Sequence, residues 1–97
     1  MKTYIALVKF TPTGLKHIKN QPEILEKIKK DYEAAGCKLV AHYLTMGQYD
    51  IVTISEAPDD ETLAGLFLHF AEFGTVQSET LRAFTEEEYL KIIAAMP

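Results

Sequence analysis

Two hydrophobic periods alternate along this chain, and their order lays out the fold. Residues 3–10, Thr-Tyr-Ile-Ala-Leu-Val-Lys-Phe, form a short run of strand formers. Thr11-Pro12-Thr13-Gly14 breaks it, because proline has no amide to give a ladder. A linker with room for a helical turn follows. A helix then begins near Asn20 or Gln21, with Asn20 as the expected N-cap. Pro22 falls in the first turn, where a missing N–H costs nothing. Ile24, Leu25, Ile28, Tyr32 and Ala35 recur at helical spacing, and Gly36 sits just past the last of them, as a C-terminal glycine does. Residues 37–46 and 49–56 read as two strands joined by a tight hairpin at Gly47-Gln48. Pro58 ends the second, and Asp59, Asp60 and Glu61 suit the positive start of a helix. That helix carries Leu63, Leu66, Phe67, Phe70 and Ala71 on one stripe and stops at Gly74. Residues 75–84 form a fourth strand. Thr85-x-x-Glu88 is a capping box opening a last helix with Tyr89, Ile92, Ile93 and Met96 on one face.

The order predicts the α+β class, with a ferredoxin-like βαββαβ unit, a four-stranded antiparallel sheet and an extra C-terminal helix. Right-handed crossovers place the first two helices on the same side of the sheet. No repeat or low-complexity segment interrupts residues 1–97, which read as one domain.

Alternation within the strands adds a second expectation. On the first strand, Tyr4, Ala6, Val8 and Phe10 share one face, while Ile5 and Leu7 lie between Thr3 and Lys9 on the other. On the third, Val52 and Ile54 oppose Tyr49 and Ile51. A sheet covered by helices on one side should be polar on the other; these strands are not. The C-terminal helix, roughly 16 Å long at 1.5 Å per residue, is too short to cover four strands. A symmetric homodimer, sheet against sheet, is therefore expected, with room for higher assembly.

Composition narrows the partners. Of 97 residues, 47% are hydrophobic and 25% charged, which suits an ordered globular protein. The net charge of −4 argues against nucleic acid. The basic cluster Lys27, Lys29 and Lys30 stands among Glu23, Glu26, Asp31 and Glu33, as on a solvated helix face. The single cysteine, Cys37, has no C-x-x-C partner and reads as a packing residue in a reducing compartment, so a cytoplasmic location is expected. No apolar run reaches the roughly 18 residues of a membrane span, and the N-terminus alternates where a signal peptide would be continuously apolar.

Four stretches carry a family resemblance: Thr11-x-x-Gly14; Tyr43-x-Thr45-Met46-Gly47-Gln48-Tyr49-Asp50-Ile51-Val52; Glu56-Ala57-Pro58-Asp59-Asp60; and Thr80-Leu81-Arg82-Ala83-Phe84. Together, in order and spacing, they resemble the GYD family over nearly the whole chain. That family is similar to the dimeric α/β-barrel group, which implies sheet-to-sheet pairing but no established activity. Two departures stand out. His42 and Leu44 occupy positions where the resemblance would put larger aromatics, and Ile24 stands where an arginine is common. A pocket lined by these positions would differ in size and polarity.

Five residues are candidates for ligand binding: His42, Tyr43, Tyr49, Asp50 and Arg82. Asp50 reads first as a turn cap or backbone partner and second as a pocket acid, because an unpaired buried carboxylate is costly. Arg82, inside an apolar strand, needs a carboxylate from Asp50, Glu56 or Glu79, or else an anionic ligand. His42 is a candidate general base, since an unperturbed imidazole titrates near neutrality, though no orienting partner is identifiable. Tyr43 and Tyr49 read first as packing residues with satisfied hydroxyls, and Tyr43 second as a ligand hydrogen-bonder. His17 and His69 stand alone, His69 on the polar side of its helix. No set has metal-ligand spacing, and no phosphate loop or nucleophile elbow occurs, so neither metal nor cofactor is expected. The leading expectation is a homodimer holding a small, partly apolar, anionic molecule through Arg82 and Tyr43, in a cavity between or beside the paired sheets. A cofactor-free oxygenase or isomerase-like enzyme, using His42 or Asp50, is an alternative by fold analogy. A structural or regulatory interaction module is the other.

Overall fold

The computed structural model describes residues Met1–Pro97. The chain forms β1 (Lys2–Phe10), α1 (Pro12–Lys16), a 3-10 turn (Ile18–Asn20), α2 (Gln21–Ala34), β2 (Lys38–Leu44), β3 (Ile51–Ala57), α3 (Asp60–Ala71), β4 (Val76–Ala83) and α4 (Glu86–Ala94). The sheet order is β2-β3-β1-β4, with every neighbouring pair antiparallel. This is the expected ferredoxin-like α+β arrangement with a helix added at its end.

Local chemistry accounts for most boundaries. The Thr11 hydroxyl accepts the Gly14 amide at 3.1 Å and donates to the Gly74 carbonyl at 2.6 Å, so one side chain caps α1 and ties it to the start of β4. Gly14 has to be glycine, since a Cβ there would lie 2.1 Å from the Thr75 carbonyl oxygen. Gly36 ends α2 in the left-handed region at φ +74°. Asp59 caps α3 by accepting the Thr62 amide at 2.8 Å and the Thr62 hydroxyl at 2.6 Å, and these donors hold its carboxyl below the usual range. The capping box of α4 forms in full: Glu88 accepts the Thr85 amide at 2.9 Å, and Thr85 Oγ1 accepts the Glu88 amide at 3.2 Å.

Two local expectations are corrected, and β2 carries one irregularity. Asn20 does not cap α2 with its side chain, because the 3-10 turn runs directly into the helix with Asn20 already in helical geometry. The β2–β3 connection is longer than a two-residue turn. It spans residues 45–50, closed by Thr45 N–H donating to the Asp50 carbonyl at 2.8 Å and the Thr45 hydroxyl donating to the Tyr49 carbonyl at 2.6 Å. Val40 is an extra residue, left unpaired where the β2–β3 register shifts between Leu39 and Ala41.

Strand register divides the sheet into two faces. The covered face shows Tyr4, Ala6, Val8 and Phe10 of β1, Ile51, Thr53, Ser55 and Ala57 of β3, Leu39 and His42 of β2, and Val76, Ser78, Thr80 and Arg82 of β4. Under α2 and α3 lies the core of Tyr4, Tyr32, Cys37, Ala57, Leu63 and Leu66. Burial pushes the Cys37 thiol up from its ordinary pKa, as suits an unreactive packing residue. The opposite face carries Ile5 and Leu7, paired with Ile54 and Val52, and Leu81 beside Ile5. No element of the chain covers it. α4 buries none of its residues, and Tyr89, Leu90, Ile92, Ile93 and Met96 are all about half exposed or more. No helix is long and apolar enough to cross a membrane.

Candidate functional site

α2 packs on β2, and α3 lies across β3 and β4. Between the two helices and the sheet they leave a cleft of about 830 Å³. Its floor is Ala6, Val8 and Phe10 of β1, with Thr53 of β3 and His42 of β2. Its walls are Ile24 and Ile28 of α2 and Phe67, Phe70 and Phe73 from α3 and the turn after it. Small floor residues explain the depth. Ala6 leaves space below the helices that a larger side chain would fill.

The walls are held in place. Tyr32 and Ser55 share a hydrogen bond at 2.8 Å, and the Tyr32 ring lies 5.8 Å from that of Phe70. Burial raises the Tyr32 pKa, so the hydroxyl stays neutral. Across the gap between the helices, Asp31 Oδ2 lies 3.3 Å from His69 Nε2, and the Lys27 ammonium stands 4.7 Å from the centre of the Phe73 ring. His69 thus faces α2 and stacks near Phe70 and Phe73, a role its position on the polar side of the helix did not suggest. His42 is the one candidate of the five that enters the cleft. Burial, and then the positive charge of Lys29, lower its pKa, which favours the neutral imidazole.

A smaller hollow of about 290 Å³ adjoins the cleft. Tyr4, Asp60, Thr80 and Arg82 line it, with Leu63, Ala64 and Phe67. The buried Tyr4 hydroxyl donates to Asp60 Oδ1. Burial, and then this bond, push the Tyr4 pKa up to about 12. Arg82 does not pair with Asp50, Glu56 or Glu79. Its Nη1 donates to the carbonyls of Thr3 and Ala83 instead, and its guanidinium lies 4.4 Å from the Phe84 ring centre and 5.6 Å from that of Tyr4. The reason is strand parity. Glu79 and Glu56 point to the open face, opposite Leu7 and Thr3, whereas Arg82 pairs with Tyr4 on the covered one.

The remaining candidates lie elsewhere. Tyr43 pairs with Val52 on the open face and is 57% exposed. Tyr49 donates to Glu79 Oε2 at 3.3 Å, with Lys9 5.4 Å from its ring centre. Asp50 is structural. Its Oδ2 accepts the Phe10 amide at 2.9 Å, and its own amide donates to the Val8 carbonyl at 2.8 Å. The Gly47-Gln48-Tyr49-Asp50 segment therefore pins the β2–β3 loop to the end of β1. The GYD domain model matches residues 4–93. This chain belongs to the GYD domain family. A relative from Thermus thermophilus, named a glutamine synthetase and cystathionine beta-lyase binding protein, is 36% identical over 84 residues, covering 86% of this chain and 88% of that protein.

Within this GYD domain, two of the three positions where the resemblance led us to expect other residues fall on the cleft. His42 and Ile24 line it, while Leu44 is 78% exposed. The cleft of this member is thus shaped by an imidazole and an aliphatic chain at those positions. The residues missed by sequence reasoning are Tyr4, Asp60 and Thr80. Tyr4 and Thr80 share the parity of Arg82 on paired strands, which is a readable signal once the register is known. Asp60 reaches them only through the crossover that brings the start of α3 to the end of β4.

Proposed function

We propose that this chain is a homodimeric binding protein, one domain over residues 1–97, that holds a small molecule in the cleft between α2, α3 and the sheet. The cleft carries the reading: a mainly apolar space of about 830 Å³ with His42, Thr53 and Asp31 at set places on its wall has the size and lining of a small-molecule site. The site lies on the helix side of the sheet, which moves it from the expected position against the open face and leaves that face for pairing. Ile5, Leu7, Val52, Ile54 and Leu81 make the open face apolar at its centre, and a second copy supplies the cover. Cys37 as a free thiol suits a cytoplasmic setting.

The second reading is an interaction module for metabolic enzymes, with the cleft as its regulatory input. The Thermus relative, which carries a name for binding two enzymes, favours it. Cofactor-free catalysis has less behind it: of His42 and Asp50, only His42 reaches the cleft.

Thermal-shift screening against a metabolite library tests the cleft, with Ala6→Phe as the filled-cleft control. A hit that shifts Tm for the native chain and not for Ala6→Phe supports ligand binding. Shifts that survive the filling, or none at all, count against it. Titration of an immobilised glutamine synthetase with the chain tests the second reading.

A further inference from the structure

The small hollow beside Arg82 holds two opposite charges that do not bridge each other. The ion pairs of the molecule are Lys29–Glu26, His69–Asp31 and Lys91–Glu87, so neither Asp60 nor Arg82 is in one. Arg82 gives Nη1 to the Thr3 and Ala83 carbonyls, while Nη2 and Nε have no protein acceptor. The rings of Phe84 and Tyr4 hold its guanidinium in place. Asp60 uses Oδ1 for the Tyr4 hydroxyl and leaves Oδ2 without a donor, and the Thr80 hydroxyl has no partner. Ala64, Phe67 and Thr80 line both this hollow and the larger cleft, so the two spaces meet.

We propose that the hollow receives the head group of a zwitterionic α-amino acid whose apolar side chain enters the cleft. The α-carboxylate takes the free nitrogens of Arg82 and the Thr80 hydroxyl. The α-ammonium donates to Asp60. A simple anion would meet Asp60 as a like charge, and a simple cation would meet Arg82 in the same way. A molecule with adjacent positive and negative groups satisfies both, its carboxylate meeting the half-buried guanidinium of Arg82 and its ammonium the more exposed carboxylate of Asp60. The apolar wall of Phe67, Phe70 and Ile28 selects a large hydrocarbon or aromatic side chain over a polar one. This assignment rests on the reading of the cleft as a ligand site.

Isothermal titration of the whole chain with four matched probes separates the two. L-Phenylalanine carries both charges, 3-phenylpropionate the negative one, 2-phenylethylamine the positive one, and 3-phenylpropan-1-ol neither. L-Phenylalanine is expected to bind, with each of the other three weaker by about tenfold or more, the cost of a lost charge-assisted hydrogen bond. Arg82→Gln should weaken L-phenylalanine and strengthen 2-phenylethylamine, whose like-charge repulsion it removes. Asp60→Asn should weaken L-phenylalanine and strengthen 3-phenylpropionate, whose repulsion by Asp60 it removes. On binding, the amide resonances of Ala64, Phe67 and Thr80 should shift in the ¹⁵N spectrum. Equal affinity for all four probes, or preference for the alcohol, would overturn the head-group assignment and leave the cleft standing as an apolar site. Silence from all four would overturn both. The probe series on the unmodified chain keeps the result decisive even if a variant folds poorly.

Discussion

The two faces of the sheet do not divide into an apolar inside and a polar outside. The helix side is mainly apolar, yet it buries the hydroxyls of Thr53 and Ser55 and half-buries His42 and Arg82, while Ser78 and Thr80 of β4 on that side stay exposed. The uncovered face is apolar at its centre, where Ile5, Leu7, Val52, Ile54 and Leu81 adjoin. Burial of polar groups is tolerated when they are hydrogen-bonded or face a space that a ligand or water can fill, and Tyr32–Ser55 and Tyr4–Asp60 show the first case. Apolar groups left facing solvent in contiguous patches mark association. The proposed function divides along the same line, with ligand recognition inside one chain and assembly outside it.

The comparison breaks most sharply at the open face. Leu7→Asp puts a charge where two sheets would meet, and burying it unpaired costs about 3 kcal/mol or more, over a hundredfold in dissociation constant. Light scattering at micromolar concentration should show a dimer for the native chain and a single subunit for the variant. A native chain that is already a lone subunit would remove the reason given for the apolar open face.

The covered face can be split into its packed and hollow ends. Leu63 is fully buried in the core, and Leu63→Ala should cost about 3 kcal/mol in urea unfolding, as large-to-small core changes do. Ile24 borders the cleft, so Ile24→Ala enlarges a space that already exists and should cost about 1 kcal/mol. Equal losses at the two sites would mean that the cleft closes in solution. Between these in kind is Tyr32→Phe. It removes the one partner of the buried Ser55 hydroxyl and should cost about 1–2 kcal/mol, with the stack on Phe70 kept.

Much of this was legible in the chain. Period-two alternation in residues 3–10 marks both faces as apolar, and helical spacing selects Tyr32, Leu63 and Leu66, all of which are buried. Caps at Asp59 and Thr85 follow from residue type, because few side chains can accept the orphan amides of a first turn. The cleft was not legible, because its existence depends on how far α2 and α3 stand from the sheet, a distance that a helical stripe does not encode. The bulge at Val40 was hidden because Lys-Leu-Val-Ala suits either register. Glu79, one of three candidate partners for Arg82, could by contrast be excluded from the sequence, because a separation of three residues puts two strand side chains on opposite faces. Asp50 could not be placed in advance, since its partner, the Phe10 amide, lies 40 residues away.

The smallest predicted effect, and the most specific to the cleft, concerns His42. Its pKa in the folded chain lies below the ordinary value of 6.5, because burial and Lys29 both disfavour the imidazolium. As the pH falls below about 6.5, the unfolded chain takes up a proton that the folded chain refuses. Stability from this group is therefore fully present above the unfolded pKa and is lost as pH falls toward the folded one. His42→Gln should flatten that part of the profile, so the gap in urea midpoint between pH 7.5 and pH 5.5 should be larger for the native chain than for the variant. His17 and His69 are common to both proteins, so the difference reports His42 alone. A ligand that fills the cleft should steepen the native slope further, since it removes the water that would otherwise solvate the charged ring, and this steepening should be absent in His42→Gln.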